Sequence, residues 1–91
     1  MARVVVTLDI MPEDVNVNLE FIQKEAGKKI AAFGGDVGKV EIEPIAFGLK
    51  KLKIFFVMDE NKGSTESLEK ELSSMNGISS VTVSDVRRTV G

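Results

Sequence analysis

The 91-residue sequence contains no cysteine and no histidine. Thiol nucleophiles, imidazole general bases, disulfides and the usual zinc ligands are therefore excluded. Two segments contain residue types that suit the binding of a partner. They are residues 44–49, Pro-Ile-Ala-Phe-Gly-Leu, and the pair Arg87 and Arg88. Apolar side chains beside a turn can dock on a partner, and guanidinium groups bind phosphate or carboxylate oxygens in pairs. The sequence thus favours binding chemistry over covalent catalysis.

The apolar block follows a stretch in which polar and apolar residues alternate. Continued alternation predicts that Ile45 and Phe47 share the face on which Glu41 and Glu43 meet water. Apolar groups exposed beside a turn indicate a docking surface. The alternative is that the end of the hairpin folds Phe47 back under a neighbouring loop, and the pattern alone leaves both open.

The charge of the chain argues against general nucleic-acid binding. A formal net charge of −2 lacks the basic excess that neutralises phosphates. The basic clusters, which are the lysines at 50, 51 and 53 and the pair Arg87 and Arg88, are better explained as ordinary solvated faces. Residues 51–57 loosely resemble the basic, aromatic strand of an RNA recognition motif. Only Phe55 lies on the face away from the core, however, and stacking needs two or three rings. We predict no direct contact with nucleic acid.

The chain lacks the residues that other functions of small α/β domains require. A metal carrier would need soft ligands, and an anion-binding enzyme would need a loop other than the acidic Met-Pro-Glu-Asp at residues 11–14. No run approaches the roughly 20 apolar residues of a membrane span, and no signal-peptide pattern opens the chain. We therefore expect no enzyme chemistry, metal or cofactor, no membrane contact and a cytoplasmic location.

The elements that must position these segments follow from periodicity. Residues 3–11 alternate as a strand that Pro12 ends, and an amphipathic helix follows, capped by Asn16 or Asn18 and stopped at Gly34. The apolar stripe of this helix recurs at spacings of three and four: Leu19, Ile22, Ala26, Ile30 and Phe33.

The second half of the chain repeats the order of elements. Residues 37–46 and 51–58 predict a hairpin with its turn at Phe47 and Gly48, and Pro44 marks an edge strand. A short helix then runs from Ser64 to Gly77, before a last strand in which Val86 is out of phase with Val83. A β-bulge near Ser84 would explain that slip.

The order of strand, helix, strand, strand, helix, strand predicts the ferredoxin-like plait, an α+β fold with a four-stranded antiparallel sheet and two helices on one face. We expect the strand order fourth, first, third, second, and a single domain over residues 1–91.

Three landmarks make the chain resemble the archaeal translation elongation factor 1-beta family. They are residues 6–12, which end Ile-Met-Pro; residues 44–49; and residues 83–88, Val-Ser-Asp-Val-Arg-Arg. The Pro-Ile-Ala-Phe-Gly block is the specific one, and the resemblance covers the whole chain in order and length. It implies a guanine nucleotide exchange factor that acts on the GDP-bound and nucleotide-free forms of elongation factor 1-alpha.

The resemblance also implies roles for single residues. In eukaryotic relatives the phenylalanine of the block contacts a second domain of the partner, which assigns partner binding to Ile45, Ala46, Phe47 and Gly48. A lysine near the end of those chains enters the partner's magnesium site and aligns with Arg88, so the catalytic cation is expected to be Arg88, with Arg87 assisting docking.

An alternative from another class is an amino-acid-sensing regulatory domain on the same plait. Its ligand loop would follow the first strand, where residues 12–17 offer little beyond acidic and amide side chains.

Overall fold

The computed structural model describes residues 3–88. The predicted domain of residues 1–91 also includes residues 1–2 and 89–91, which lie outside that range. Within it the elements follow the predicted order: β1 (Arg3–Pro12), α1 (Leu19–Phe33), β2 (Asp36–Pro44), β3 (Lys50–Asp59), α2 (Glu66–Ser73) and β4 (Ile78–Arg88), with short 3₁₀ turns at Ala46–Gly48 and Glu60–Lys62.

The strands of the described chain form one antiparallel sheet in the order β2-β3-β1-β4. This is the predicted order, with β2 at an edge. Alternation decides which face holds the core, because Val6, Leu8 and Ile10 of β1 are buried on the same face as their partners Phe56, Ile54 and Leu52. The fold is the predicted ferredoxin-like α+β plait.

Both helices pack on that single face. Helix α1 contributes Ile22, Ala26 and Ile30 to the core, and α2 contributes Leu68 and Leu72. Asn18 caps α1 by accepting from the backbone N–H of Phe21 at 3.2 Å, and Gly34 ends the helix in the left-handed region at φ 106°. Helix α2 ends at Ser73, earlier than Gly77, which takes φ 90° in the loop before β4.

The predicted β-bulge lies at Ser84. Thr7 pairs with Asp85, but the next residue, Leu8, pairs with Val83, so Ser84 has no partner across the ladder. The extra residue reverses the side-chain alternation of the end of β4. Val86 therefore lies opposite Val6 on the helix side, as Val81 and Val83 lie opposite Ile10 and Leu8, although Val86 is 56% exposed.

Candidate partner-binding site

The β2–β3 hairpin presents Phe47 to solvent. Its exposed fraction is 96%, the highest among the large apolar side chains in residues 3–88. The alternative in which Phe47 folds back under a loop is therefore wrong. The strand alternation that led to the prediction stops at Pro44, and Ile45 is half-buried, because residues 46–48 form a 3₁₀ turn instead of continuing β2.

Backbone hydrogen bonds hold this turn. The N–H of Ile45 donates to the carbonyl of Leu49 at 2.8 Å, and the N–H of Leu49 donates to the carbonyl of Ala46 at 3.2 Å. Phe47 takes φ 60° and ψ 31°, and Gly48 takes φ 77°. Two consecutive left-handed residues reverse the chain tightly. The hydrogen-bonded backbone of the turn thus directs the side chain of Phe47 outward.

The conformation of Phe47 is unusual for its residue type. Among the described residues other than glycine, it alone has a positive φ, and a bulky side chain in the left-handed region costs about 1–2 kcal/mol. That cost is not offset by burial, because the ring contacts solvent. Strain without local compensation is typical of functional sites.

The two arginines lie at the end of β4, on opposite faces of the sheet. Arg87 pairs with Val5 on the helix-free face, and Arg88 pairs with Val4 on the helix side. The bulge at Ser84 decides this assignment, because without the extra residue each arginine would lie on the other face. The structure therefore does not place Arg87 and Arg88 side by side on one surface.

Each arginine has an acidic partner. The Nε of Arg87 lies 2.8 Å from Asp85 Oδ2, and the Nη2 of Arg88 lies 2.9 Å from Glu60 Oε1 and 2.8 Å from Glu60 Oε2. The hydrogen bond and negative charge of Glu60 raise the pKa of Arg88 above its ordinary value, so its charge is constant at any physiological pH. Both guanidinium groups stay largely exposed, at 80% and 69% of the side chain.

Glu60 was missed in the sequence analysis, although a signal for it existed. It follows directly after β3, and in the sheet order β3-β1-β4 the residues Met58, Val4 and Arg88 lie in one row. An acidic residue just beyond the end of β3 is thus within reach of a long cation at the end of β4.

The two parts of the predicted site lie at opposite ends of the sheet. The hairpin turn joins Pro44 to Lys50 at the start of β3, whereas the row that contains Arg88 crosses β3 at Met58. Eight residues of extended strand separate the rows by about 25 Å. A partner that contacts Phe47 and Arg88 together must therefore bind along the long axis of the molecule.

The helix-free face of the sheet has a mixture of charges. Lys51 lies 3.5 Å from Asp9 and 3.9 Å from Glu43, and Lys53 lies 3.4 Å from Glu43. These lysines are therefore paired rather than forming a basic stripe. Phe55 lies on the same face, with Thr7 opposite it on β1 and the amine of Lys39 5.6 Å from its ring centroid.

Lys39 also forms an ion pair with Glu41 at 2.9 Å on the same edge strand. The hydrogen bond and charge of Lys39 lower the pKa of Glu41. The helix-free face is thus lined by mutually compensated charges, and Phe55 provides it with a single ring in place of the several that base stacking requires.

Within residues 3–88, no three or more acidic side chains come together as a possible metal site. Neither helix in residues 3–88 has the length and apolarity that crossing a membrane requires.

The chain is similar to known proteins over nearly its whole length. The family model described as the EF-1 guanine nucleotide exchange domain matches residues 5–89. The elongation factor 1-beta of Methanothermobacter thermautotrophicus is 42% identical over 88 residues, covering 97% of this chain and 98% of the relative. That of Staphylothermus marinus is 43% identical over 89 residues, covering 97% and 98%.

Among solved structures, the ACT domain of GTP pyrophosphokinase from Chlorobium tepidum has a TM-score of 0.59 at 14% identity, covering 87% of this chain and 95% of that domain. The C-terminal domain of the MgtC protein from Mycobacterium tuberculosis has the same TM-score at 15% identity, covering 98% and 87%. These likenesses show the fold alone, so they add nothing to the amino-acid-sensing alternative beyond the shared plait. The family match and the full-length relatives decide the family: this chain belongs to the elongation factor 1-beta proteins, the family of the EF-1 guanine nucleotide exchange domain.

Proposed function

We propose that this chain promotes the exchange of GDP for GTP on elongation factor 1-alpha during protein synthesis in the cytoplasm. The observation that carries the proposal is the match to the exchange-domain family over residues 5–89. The exposed, conformationally fixed Phe47 at the end of the hairpin supports it, because this residue has the properties of a docking anchor and no role in the core.

Exchange of this kind requires no covalent chemistry from the factor. The exchange factor binds the nucleotide-free partner more tightly than the nucleotide-bound partner. By linkage, its binding lowers the partner's affinity for nucleotide by the ratio of these two affinities. What the chain must supply is therefore contact energy that is lost when nucleotide and magnesium are in place. Phe47, with Ile45, Ala46 and Gly48 around it, would supply docking that does not depend on nucleotide.

Arg88 is the proposed source of the contact energy that is lost when nucleotide and magnesium are bound. A guanidinium group brought near the partner's magnesium and phosphates repels the divalent ion and competes for the phosphate oxygens. The exposed pair with Glu60 leaves Arg88 able to exchange one set of carboxylate oxygens for another. Arg87 lies on the other face of the sheet, so its proposed part is limited to docking at the rim.

The test is release of fluorescent GDP from purified elongation factor 1-alpha, followed in excess unlabelled nucleotide with increasing amounts of this chain. We expect a release rate that rises with the factor concentration and saturates. Phe47→Ala should shift the concentration dependence, and Arg88→Ala should lower the saturating rate. Release at the spontaneous rate, at concentrations where complex formation is complete, would exclude the exchange activity.

A further inference from the structure

A groove of about 430 Å³ lies between the β1–α1 connection and the β2–β3 hairpin. Val15 lines it from the connection, and Ile42 and Gly48 line it from the hairpin side. The two walls approach each other closely, because a Cβ at Gly48 would lie 3.5 Å from Cγ1 of Val15. The groove therefore opens directly beside the turn that presents Phe47.

The β1–α1 connection is ordered. The N–H of Glu13 donates to the carbonyl of Gly77 at 2.9 Å, and Asp14 Oδ1 accepts from the N–H of Asn16 at 2.8 Å. Asn18 then caps helix α1. Val15 lies within this braced segment and is nevertheless 58% exposed. Its exposure thus belongs to a fixed surface, and little ordering entropy would be lost on binding.

Two exposed apolar side chains line the groove, and Phe47 lies in the turn next to the lining residue Gly48. Val15, Ile42 and Phe47 are exposed to 58%, 49% and 96%. Apolar side chains scattered singly over a surface need no explanation, whereas a contiguous group around a concave site marks an interaction surface. The apolar group is continuous with the surface proposed for docking, and it extends that surface from the hairpin onto a second segment of the chain.

The charges around the groove define the chemistry of its occupant. Asp14 and Glu20 line it and Glu13 precedes it, whereas Lys50 is the one cation among its described lining residues. The lining thus has more carboxylates than cations. An occupant that matches both the apolar side chains and the excess of carboxylates has an aliphatic side chain next to a lysine or arginine.

We propose that this groove binds a segment of the partner in which an aliphatic side chain adjoins a basic one, so that Val15 and Phe47 dock as a unit. The identity of the partner as elongation factor 1-alpha rests on the function proposed above. The groove adds a second, previously unassigned segment to the interface, the β1–α1 connection, and it adds an electrostatic requirement that the apolar hairpin by itself does not impose.

The first test compares two valines in the titration of nucleotide-free elongation factor 1-alpha with the full chain. Val15→Ser should weaken binding about tenfold, the loss expected when a valine side chain leaves an apolar contact. Val37→Ser is the control, because Val37 is also an exposed valine, at 38%, but lines the neighbouring groove between α1 and β2, which shares Glu20 with the first groove but not Val15. Its affinity should stay within about twofold of wild type. Equal affinity of Val15→Ser and wild type would overturn the proposal.

The second test addresses the charge. In the double variant Asp14→Asn, Glu20→Gln the amide at position 14 still accepts from Asn16, so the connection stays ordered. Affinity should fall, and the dependence of affinity on salt should become shallower than in wild type. Glu66→Gln, Glu71→Gln is the control, because it removes two exposed charges from α2 instead. An unchanged salt dependence in the groove variant would overturn the basic character of the occupant.

The outcomes separate this inference from the function on which it rests. If wild type neither binds elongation factor 1-alpha nor speeds GDP release, the proposed function is wrong. If wild type does both and Phe47→Ala weakens binding while Val15→Ser does not, the exchange function stands and the groove assignment is wrong.

Discussion

Phe47 combines an exposed ring with a backbone conformation that most large residues avoid. Stability does not explain this combination, because a solvent-exposed ring offers no burial energy to offset the strained φ. A rigid aromatic with few rotatable bonds loses little entropy when a partner covers it. These properties suit the docking role proposed for Phe47, which can be tested separately from folding.

Phe47→Ala should change the free energy of unfolding by about 1 kcal/mol or less, because the ring makes no core contact. Binding to nucleotide-free elongation factor 1-alpha should weaken about 30-fold or more, as for a central aromatic anchor. Urea denaturation and titration of the partner measure the two effects. Phe56→Ala is the buried control and should cost about 3–5 kcal/mol of stability. A comparable loss in Phe47→Ala would make Phe47 a core residue.

Arg88→Ala should lower the saturating rate of GDP release about tenfold or more, within the range of coupling between two sites in one complex. Affinity for the nucleotide-free partner should change little, because the proposed contact acts on the nucleotide. Lys28→Ala is the matched control, since Lys28 is similarly exposed, at 66%, and also pairs with one glutamate. A wild-type rate in Arg88→Ala would rule out the cation role.

Arg88→Lys then separates charge from geometry. Lysine preserves the positive charge but lacks the planar fork that binds two oxygens at once. If charge alone drives nucleotide release, Arg88→Lys should keep most of the saturating rate. If binding two oxygens at once is required, Arg88→Lys should lose the saturating rate nearly as much as Arg88→Ala does.

At the scale of elements, the sequence predicts most of the fold because its periodicities agree with one another. The alternation of β1 and β3 and the stripes of both helices identify the buried face, and the phase slip at Val86 predicts the bulge at Ser84. Alternation fails where the backbone stops being extended. The rule therefore does not apply to Ile45 and Phe47, because β2 has ended and Phe47 enters the left-handed region.

The candidate site was less predictable than the fold. The apolar block and the arginines stand out in the sequence, but their environment depends on contacts between distant segments. The pairing of Arg88 with Glu60 crosses three strands, and the proximity of Val15 to Gly48 joins two connections far apart in the chain. No local pattern encodes such contacts, because each depends on sheet order and register together.

Two glycines, one inside α1 and one just after it, allow the space around this helix to be tested. A Cβ at Gly27 would meet nothing within 4 Å, whereas a Cβ at Gly35 would lie 2.7 Å from both Ile30 Cγ2 and Phe56 Cδ2. Gly27→Ala should stabilise the protein by about 0.5–1 kcal/mol through helix propensity. Gly35→Ala should destabilise it by about 1–3 kcal/mol, because the core must shift.

Urea denaturation measures the free energy of unfolding of both glycine variants, and the slope of that free energy against urea concentration should stay unchanged. Each is the control for the other, since the substitution is identical and only the space around the new methyl group differs. Destabilisation by Gly27→Ala would mean that the α1 surface at this position is packed, and a neutral Gly35→Ala would mean that the turn after α1 adjusts freely.

At the scale of the whole molecule, the protein is elongated, with extents of 42 × 21 × 17 Å. The strands run the length of the molecule and place the hairpin turn and Arg88 about 25 Å apart. A rigid sheet between two contact points fixes their separation and orientation. Under the proposed function, the factor would act as a spacer in which docking at one end places the cation at the other.

The spacer model makes a prediction about the double variant Phe47→Ala, Arg88→Ala. The two residues share no contact and lie far beyond the 7–10 Å within which substitutions usually couple, so their effects on folding stability should be additive. At low factor concentration, each single variant should lower the rate of GDP release by some ratio. If the two ends contribute independently, the ratio for the double variant should equal the product of the two single ratios to within about twofold. At saturating factor, the double variant should match Arg88→Ala, because excess factor compensates for weak docking. A saturating rate well below that of Arg88→Ala would mean that docking through Phe47 also distorts the nucleotide site, and the two ends would then act as one coupled unit.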